Sequence, residues 1–202
     1  MNREDWDDRY AAEELLWRAA PNRFLVEETE HLEPGRALDL ACGEGRNALW
    51  LAERGWTVTG VDFSPVGLAK ARRLGDERGV VVEWIVADVR EWQPQDAFDL
   101  VVAFYLHLPA DQRRRAHRNA AGAVALGGTL LVVGHDLTNL TEGTGGPQDP
   151  AVLFTPADVV DDLAGLEVAF DVERAERVRR PVTTDHGEIE AIDALVRAVR
   201  SS

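Results

Sequence analysis

Residues 37–55, ALDLACGEGRNALWLAERG, constrain the fold more than any other stretch of this chain. Ala37, Leu38, Leu40 and Ala41 make a short apolar run holding one charge, Asp39. Such a run, bounded by a glycine turn, reads as a buried parallel strand. Gly43 and Gly45 form a tight turn where backbone approaches a ligand with no Cβ in the way. Ala48, Leu49, Leu51 and Ala52 then recur at helical spacing, and Gly55 falls where a helix C-cap belongs. Strand, turn and helix make a ligand cradle at the carboxyl end of a strand.

Two ligand classes use such a cradle. Gly43, Gly45 and Ala48 satisfy the dinucleotide pattern G-x-G-x-x-G/A, and Asp62 follows Gly43 by 19 residues, near the expected ribose carboxylate. Asp39 separates the two classes. A turn built for pyrophosphate wants bare N–H groups and a helix dipole, and a carboxylate in the strand before it repels phosphate. It suits an ammonium instead. The stretch DLACGEGRNALWLAERG resembles motif I of the class I S-adenosylmethionine-dependent methyltransferases, and its D-L-x-C-G-x-G-R-N form looks like the small tellurite-resistance-type branch. The likeness runs from Ala37 to about Val133 and is weak in both terminal segments. It implies a Rossmann-like α/β fold: a mostly parallel seven-stranded sheet with an antiparallel last strand, helices on both faces and an N-terminal helical lid. It implies S-adenosylmethionine as cofactor, S-adenosylhomocysteine as product, and cofactor contacts from Asp39, Ala41, Cys42, Gly43, Gly45, Arg46 and Asn47.

The 202 residues are expected to form one domain, with a lid over 1–31 and the core over 32–202. A net charge of −14 argues against a nucleic-acid surface, since phosphate contacts need clustered Lys and Arg. One cysteine excludes an internal disulfide or a cysteine-based zinc site. The five histidines are not spaced like metal ligands, so no metal is expected. No run of about 18 apolar residues is present, so a cytoplasmic protein without a membrane partner is expected, as monomer or homodimer.

Along the chain, Leu15, Leu16 and Ala19 fit a helical face before Pro21, and Phe24 opens a second helix. Trp6, Tyr10 and Trp17 either staple a terminal helix to the body or line a lid over the substrate. TVTGVD (57–62) reads as a strand ending in Asp62, which the resemblance places on the ribose hydroxyls, with Phe63 packing on adenine, Ser64 counted among the cofactor contacts, and Ser64-Pro65 opening a helix to Arg78. VVVEWIVADV (80–89) is a strand ending at Asp88 and Val89, the resemblance's adenine contacts. FDLVVAFYLHLP (98–109) is a buried strand entering the loop where methyl and acceptor meet in the family. Phe104 is therefore assigned to the cofactor, and Tyr105 and His107 to the acceptor. A helix from Asp111 to Ala125, a Gly127-Gly128 turn and a strand over 129–135 follow, bringing His135 and Asp136 to the same rim. Residues 137–155 read as a long loop bordering the acceptor, Thr155-Pro156 as a helix start, and 166–182 as a strand. The last segment conflicts with itself. Ile192, Leu195, Val196 and Val199 fit helical spacing, whereas the resemblance requires a final strand paired through a turn at Asp185-His186-Gly187. The strand is preferred.

Methyl transfer from a sulfonium needs alignment, exclusion of water and, for some acceptors, removal of a proton. Cys42 lies inside the turn with no activating partner, so it reads as packing rather than as a nucleophile. A hydroxyl acceptor calls for a base, with His107, His135 and His186 as candidates and Tyr105 beside them. The leading reading is transfer to a small-molecule acceptor. The alternatives are an NAD-type oxidoreductase and a non-catalytic protein that binds S-adenosylmethionine.

Overall fold

A computed structural model describes residues 2–16, 20–184 and 187–202. Among the described residues two helices precede the sheet, α1 (Arg3–Ala12) and α2 (Arg23–Thr29). Asn2 and Asp5 form a capping box that starts α1: the Asp5 N–H donates to Asn2 Oδ1 (2.9 Å) and the Asn2 N–H to Asp5 Oδ2 (2.8 Å). The helical face expected at Leu15, Leu16 and Ala19 is not where this helix lies, because the early cap places it upstream and it stops at Ala12. Trp17 and Ala19 lie outside the described residues.

The core then alternates: β1 (Arg36–Leu40), α3 (Arg46–Glu53), β2 (Thr57–Asp62), α4 (Pro65–Arg78), β3 (Glu83–Val86), β4 (Phe98–Phe104), α5 (Ala110–Gly122) and β5 (Val124–His135). A short α6 (Asn139–Glu142), α7 (Pro156–Leu163) and the hairpin β6 (Phe170–Thr184) to β7 (Gly187–Arg200) complete it. The sheet order is β3-β2-β1-β4-β5-β7-β6, with β7 antiparallel to both neighbours and the strands from β3 to β5 parallel. The expected seven-stranded sheet with an antiparallel last strand is therefore present. Strand order reverses between β1 and β4, and a crevice opens outside the carboxyl ends there.

Strand residues alternate between two apolar layers. Leu38, Leu40, Val101 and Val132 pack with Ala116 of α5 and Val159 of α7. Ala37, Val102, Leu131 and Val133 face the other way, onto Leu25 of α2 and Leu51 of α3. Helix starts are capped by side chains. Ser64 Oγ accepts the Gly67 N–H at 3.0 Å, and Thr155 with Asp158 makes a second capping box at α7. Among the described residues no helix is long and apolar enough to cross a membrane.

Several boundaries differ from those read off the sequence. β3 is only Glu83–Val86 rather than 80–89. α5 stops at Gly122, so Gly127 and Gly128 lie inside β5 instead of turning the chain before it. The loop 137–155 contains α6, a 3-10 turn at Pro150–Val152 and a bridge between Asp136 and Phe154. The last segment is the strand β7, and the helical spacing was misleading for a physical reason. Residues 191–196 are buried on both sheet faces, so the two-residue alternation of a half-exposed strand vanishes. The expected turn residues Asp185 and His186 lie outside the described residues.

Candidate active site

The glycine turn joins β1 to α3 at the mouth of the crevice. Ala41 (φ 56°), Gly43 (φ 56°) and Gly45 (φ 76°) all take left-handed backbone, which brings the chain sharply round into the helix. Asp39, the charge inside β1, is 2% exposed. Its Oδ2 accepts the Ala48 N–H at 3.1 Å, tying strand to helix start. Burial pushes this carboxyl up to about 7, against the pull of the Ala48 bond and of Arg46. Arg46, half-buried on the same wall, has its guanidinium pushed down by burial. It makes no ion pair among the described residues. An acid and a base thus flank the turn without neutralising each other by contact.

A cleft of about 1770 Å³ runs from this turn across the carboxyl ends of the sheet. Ligand pockets typically measure about 300–1,000 Å³, so there is room for two molecules side by side. Asp39, Ala41, Cys42, Gly43, Arg46 and Asn47 line it, and so do Asp62, Phe63, Asp88, Val89 and Phe104. Gly45 and Ser64 do not. At Gly45 a Cβ would collide with the Trp84 ring and sit 2.9 Å from the Ala71 Cβ. That glycine serves the packing of α3 against α4 and β3.

Asp62 is more constrained than the sequence suggests. Its Oδ2 accepts the Gly43 N–H and its Oδ1 the Ser64 N–H, both at 2.8 Å. The carboxylate clasps the glycine turn to the end of β2, and only its remaining lone pairs are available to a ligand. Asp88 is held by Arg90, whose Nε donates to both carboxylate oxygens at 2.9 and 3.0 Å. That pairing holds the Asp88 carboxyl below the usual range.

The other end of the cleft is a ring cluster. Tyr105 follows β4 with φ 55°, a strained conformation for a bulky side chain. Its hydroxyl donates to Asp193 Oδ2 at 2.9 Å and accepts from Asn22 Nδ2 at 3.3 Å. Burial, then the Asp193 charge, pushes the phenol up to about 12. His107 and His135 stack with ring centroids 5.3 Å apart and planes 14° apart. His107 Nε2 accepts the His135 backbone N–H at 3.2 Å. Burial, then His135, pushes the His107 imidazole down to about 3. Arg180 of β6 donates from Nε to Asp193 Oδ2 at 3.0 Å.

Asp193 and Arg180 were missed by the sequence reading, yet both bear on this cluster. Asp193 is fully buried in the middle of β7. Burial alone would raise its carboxyl, but His135 and Arg180 hold it below the usual range. One signal was present: a lone acid in the apolar run AIDALV repeats the pattern of Asp39 in ALDLA. Asp136 does not reach the cleft. It turns into the body, where its Oδ1 accepts from the Thr138 N–H (2.8 Å) and Arg177 Nε (3.0 Å).

α1 covers the turn end. Trp6 and Tyr10 line the cleft, with ring centroids 5.5 Å apart. Tyr10 lies over Gly43 so closely that a Cβ there would be 2.5 Å from its hydroxyl. Lys70 Nζ donates to the carbonyls of Tyr10 and Glu13 and to Glu44 Oε1 at 3.1 Å, and Ser64 Oγ bonds Asp7.

Residues 37–128 match the family model for a methyltransferase domain. Demethylmenaquinone methyltransferase of Thermus thermophilus is 39% identical over 124 residues, 59% of this chain and 54% of that protein. The chain thus spans about half the length of this curated relative. Among solved structures, the N-methyltransferase NodS of Bradyrhizobium japonicum with S-adenosyl-L-homocysteine has a TM-score of 0.71 at 19% identity, covering 99% of this chain and 98% of that one. TehB of Haemophilus influenzae gives 0.74 at 18%, covering 96% and 66%. At such identities these two likenesses speak to the fold alone.

Proposed function

We propose that this chain, which belongs to the class I S-adenosylmethionine-dependent methyltransferases, transfers a methyl group to a small molecule held among Tyr105, His107 and His135. The observation that carries this reading is the single cleft that joins the glycine turn to the ring cluster, with Asp39 and Arg46 at the turn end. Those two side chains match the ammonium and carboxylate of an amino acid. The raised Asp39 carboxyl gains most from a cation, because the ligand charge offsets the cost of burying its own.

The cofactor supplies an activated methyl on a sulfonium and leaves as a neutral thioether. The chain's part is to hold and align. Asp39 and Arg46 take the amino-acid end, the free lone pairs of Asp62 take ribose hydroxyls, and Asp88 and Val89 border the adenine. Phe63 and Phe104 supply apolar walls. Trp6 and Tyr10 close the turn end against water, which keeps the electrophile from hydrolysis and strengthens the electrostatics inside. The acceptor then occupies the wall formed by the residues after β4 and β5. The relative named for demethylmenaquinone supports an organic acceptor.

Titration calorimetry tests the first half: S-adenosylmethionine and S-adenosylhomocysteine should bind and NAD should not. Release of S-adenosylhomocysteine in the presence of an acceptor panel of phenols, thiols, carboxylates and amines tests the second. Binding of NAD alone, or binding of S-adenosylmethionine without turnover on any acceptor, sinks the proposal.

A further inference from the structure

We propose that His135 is the general base for an acceptor whose reacting group is a weakly acidic hydroxyl, a phenol or an enol, and that Asp193 is the positioning residue that makes it one. This rests on the methyl-transfer reading above. His135 ends β5, and Asp193 faces it in direct register on β7. Opposed side chains of antiparallel strands have Cβ atoms about 4.5–5.5 Å apart, so imidazole and carboxylate meet without either leaving its strand. His135 Nδ1 lies 3.2 Å from Asp193 Oδ1. The contact is off the hydrogen-bond line, but both atoms are buried and neither has another hydrogen-bond partner among the described residues. The other carboxylate oxygen is pinned by the Tyr105 hydroxyl and Arg180 Nε. A carboxylate fixed in this way keeps the imidazole proton on Nδ1 and leaves the Nε2 lone pair unprotonated. The rim glycine Gly146 packs on the Cδ2 side of the ring, where a Cβ would come 2.7 Å from both Cγ and Nε2; His135 and Gly146 both line the cleft.

His107 is arranged the opposite way. Its Nε2 already accepts the His135 N–H, so its own proton sits on Nδ1 and no lone pair remains for a substrate proton. Its ring serves as a wall, stacked on His135 and 6.3 Å from the Phe154 ring. The groups around His135 are Tyr105 and His107 after β4 and Asp193 on β7, with Arg180 on β6 behind that carboxylate.

In the step, the acceptor O–H bond breaks and its proton passes to His135 Nε2. The electron pair left on oxygen forms the bond to the methyl carbon. The pair of the breaking carbon–sulfur bond stays on sulfur, which departs uncharged. The imidazolium formed is balanced by Asp193. A thiol ionises near neutral pH and would have no use for this pair, which is why a hydroxyl is the acceptor inferred.

The test compares phenol with 4-nitrophenol, which is already ionised at the assay pH, in the wild type, His135→Gln, His107→Gln and Asp193→Asn. His135→Gln should lower turnover of phenol by about 10²–10⁴-fold, the usual worth of a general base. Its loss on 4-nitrophenol should be much smaller, so that the ratio of the two rates widens. Asp193→Asn should shift the acidic limb of the kcat profile to lower pH, because the imidazolium loses its counter-charge. Equal losses on both phenols overturn the base role, as does a selective loss in His107→Gln alone. Wild-type protein that binds S-adenosylmethionine but turns over neither phenol overturns the acceptor class, whereas failure to bind S-adenosylmethionine overturns the methyl-transfer reading itself. Long-range proton–nitrogen spectra give a readout without turnover: His135 should carry its proton on Nδ1, with Asp193→Asn disturbing that tautomer. A proton on His135 Nε2 in the wild type overturns the proposal.

Discussion

A single acid inside an apolar strand is the feature that repeats at the working end of this sheet. Asp39 in β1 and Asp193 in β7 are both buried, yet they are held differently. Asp193 has Tyr105, Arg180 and His135 around it and stays ionised. Asp39 has one backbone N–H, with Arg46 acting at a distance, and its carboxyl rises to about 7. A cationic ligand favours the ionised form, so binding must release protons wherever Asp39 is protonated beforehand. Calorimetry of S-adenosylmethionine in buffers of differing ionisation heat should therefore show release approaching one proton at pH 6. The release should fall to about half at pH 7 and vanish above pH 8, with affinity rising over the same interval. Asp39→Asn should abolish that release. Release that persists in Asp39→Asn assigns the proton elsewhere. Asp39 was legible because β1 is bounded by a glycine turn. Asp193 was not, because the surrounding residues fit helical spacing equally well.

At the scale of elements, α5 and α7 are joined by a buried charge cluster that no motif announces. Asp162 of α7 accepts from Arg113 Nε at 2.7 Å and sits 2.9 Å from His117 Nδ1, all three side chains being buried. Arg114 Nε adds a contact at 3.4 Å. The arginine run 113–115 reads as a solvated face in the sequence, yet Arg113 points inward, since its charge has a partner waiting on a helix about fifty residues on. Burial alone would raise the Asp162 carboxyl, but His117 and Arg113 hold it below the usual range. Stability linked to a depressed carboxyl is complete above the unfolded value of about 3.9 and is lost as pH falls through the folded one. Asp162→Asn keeps the shape but leaves the buried Arg113 with only a longer contact to Asp158, at 3.8 Å, and breaking a buried pair typically costs about 3–5 kcal/mol. Denaturant unfolding near neutral pH should show a loss of that order, and the variant's acid limb should be flatter than the wild type's. A change below about 1 kcal/mol would mean that water or rearrangement satisfies Arg113. Caps were easier to read than this cluster. Ser64-Pro65 and Thr155-Pro156-Ala157-Asp158 start α4 and α7 where local chemistry says they should, because a cap needs only neighbours within four residues.

For the whole molecule, the order of the strands decides what can meet. Motif I, the end of β2 and the end of β3 cluster by sequence-local rules, so the turn end of the cleft was legible from residues 37–89. The acceptor end draws on the ends of β4 and β5 and on interior positions of β6 and β7, and the last two arrive by a hairpin that returns from the far edge. Tyr105 and Asp193 are 88 residues apart in sequence and share a hydrogen bond, a meeting that no local pattern encodes. The lid at the turn end is similarly long-range. α1 buries only Tyr10 and holds the body mainly through polar contacts, Asp7 to Ser64 and the Tyr10 carbonyl to Lys70. Such an element adds little to the core but much to the closure of the site, and segments of this kind are drawn from the low-stability end of a structure. Deleting residues 2–12 should leave far-ultraviolet circular dichroism of the sheet and the cooperative unfolding transition in place. The same deletion should weaken S-adenosylmethionine about tenfold or more, since loss of closure worth about 1.4 kcal/mol corresponds to that factor. The weakening should lie in the dissociation rate, because a lid acts after encounter. If the truncated chain binds and releases the cofactor as the intact one does, α1 is a staple on α4 and Tyr10 has no part in holding the ligand. If the truncated chain fails to unfold cooperatively, α1 belongs to the core instead.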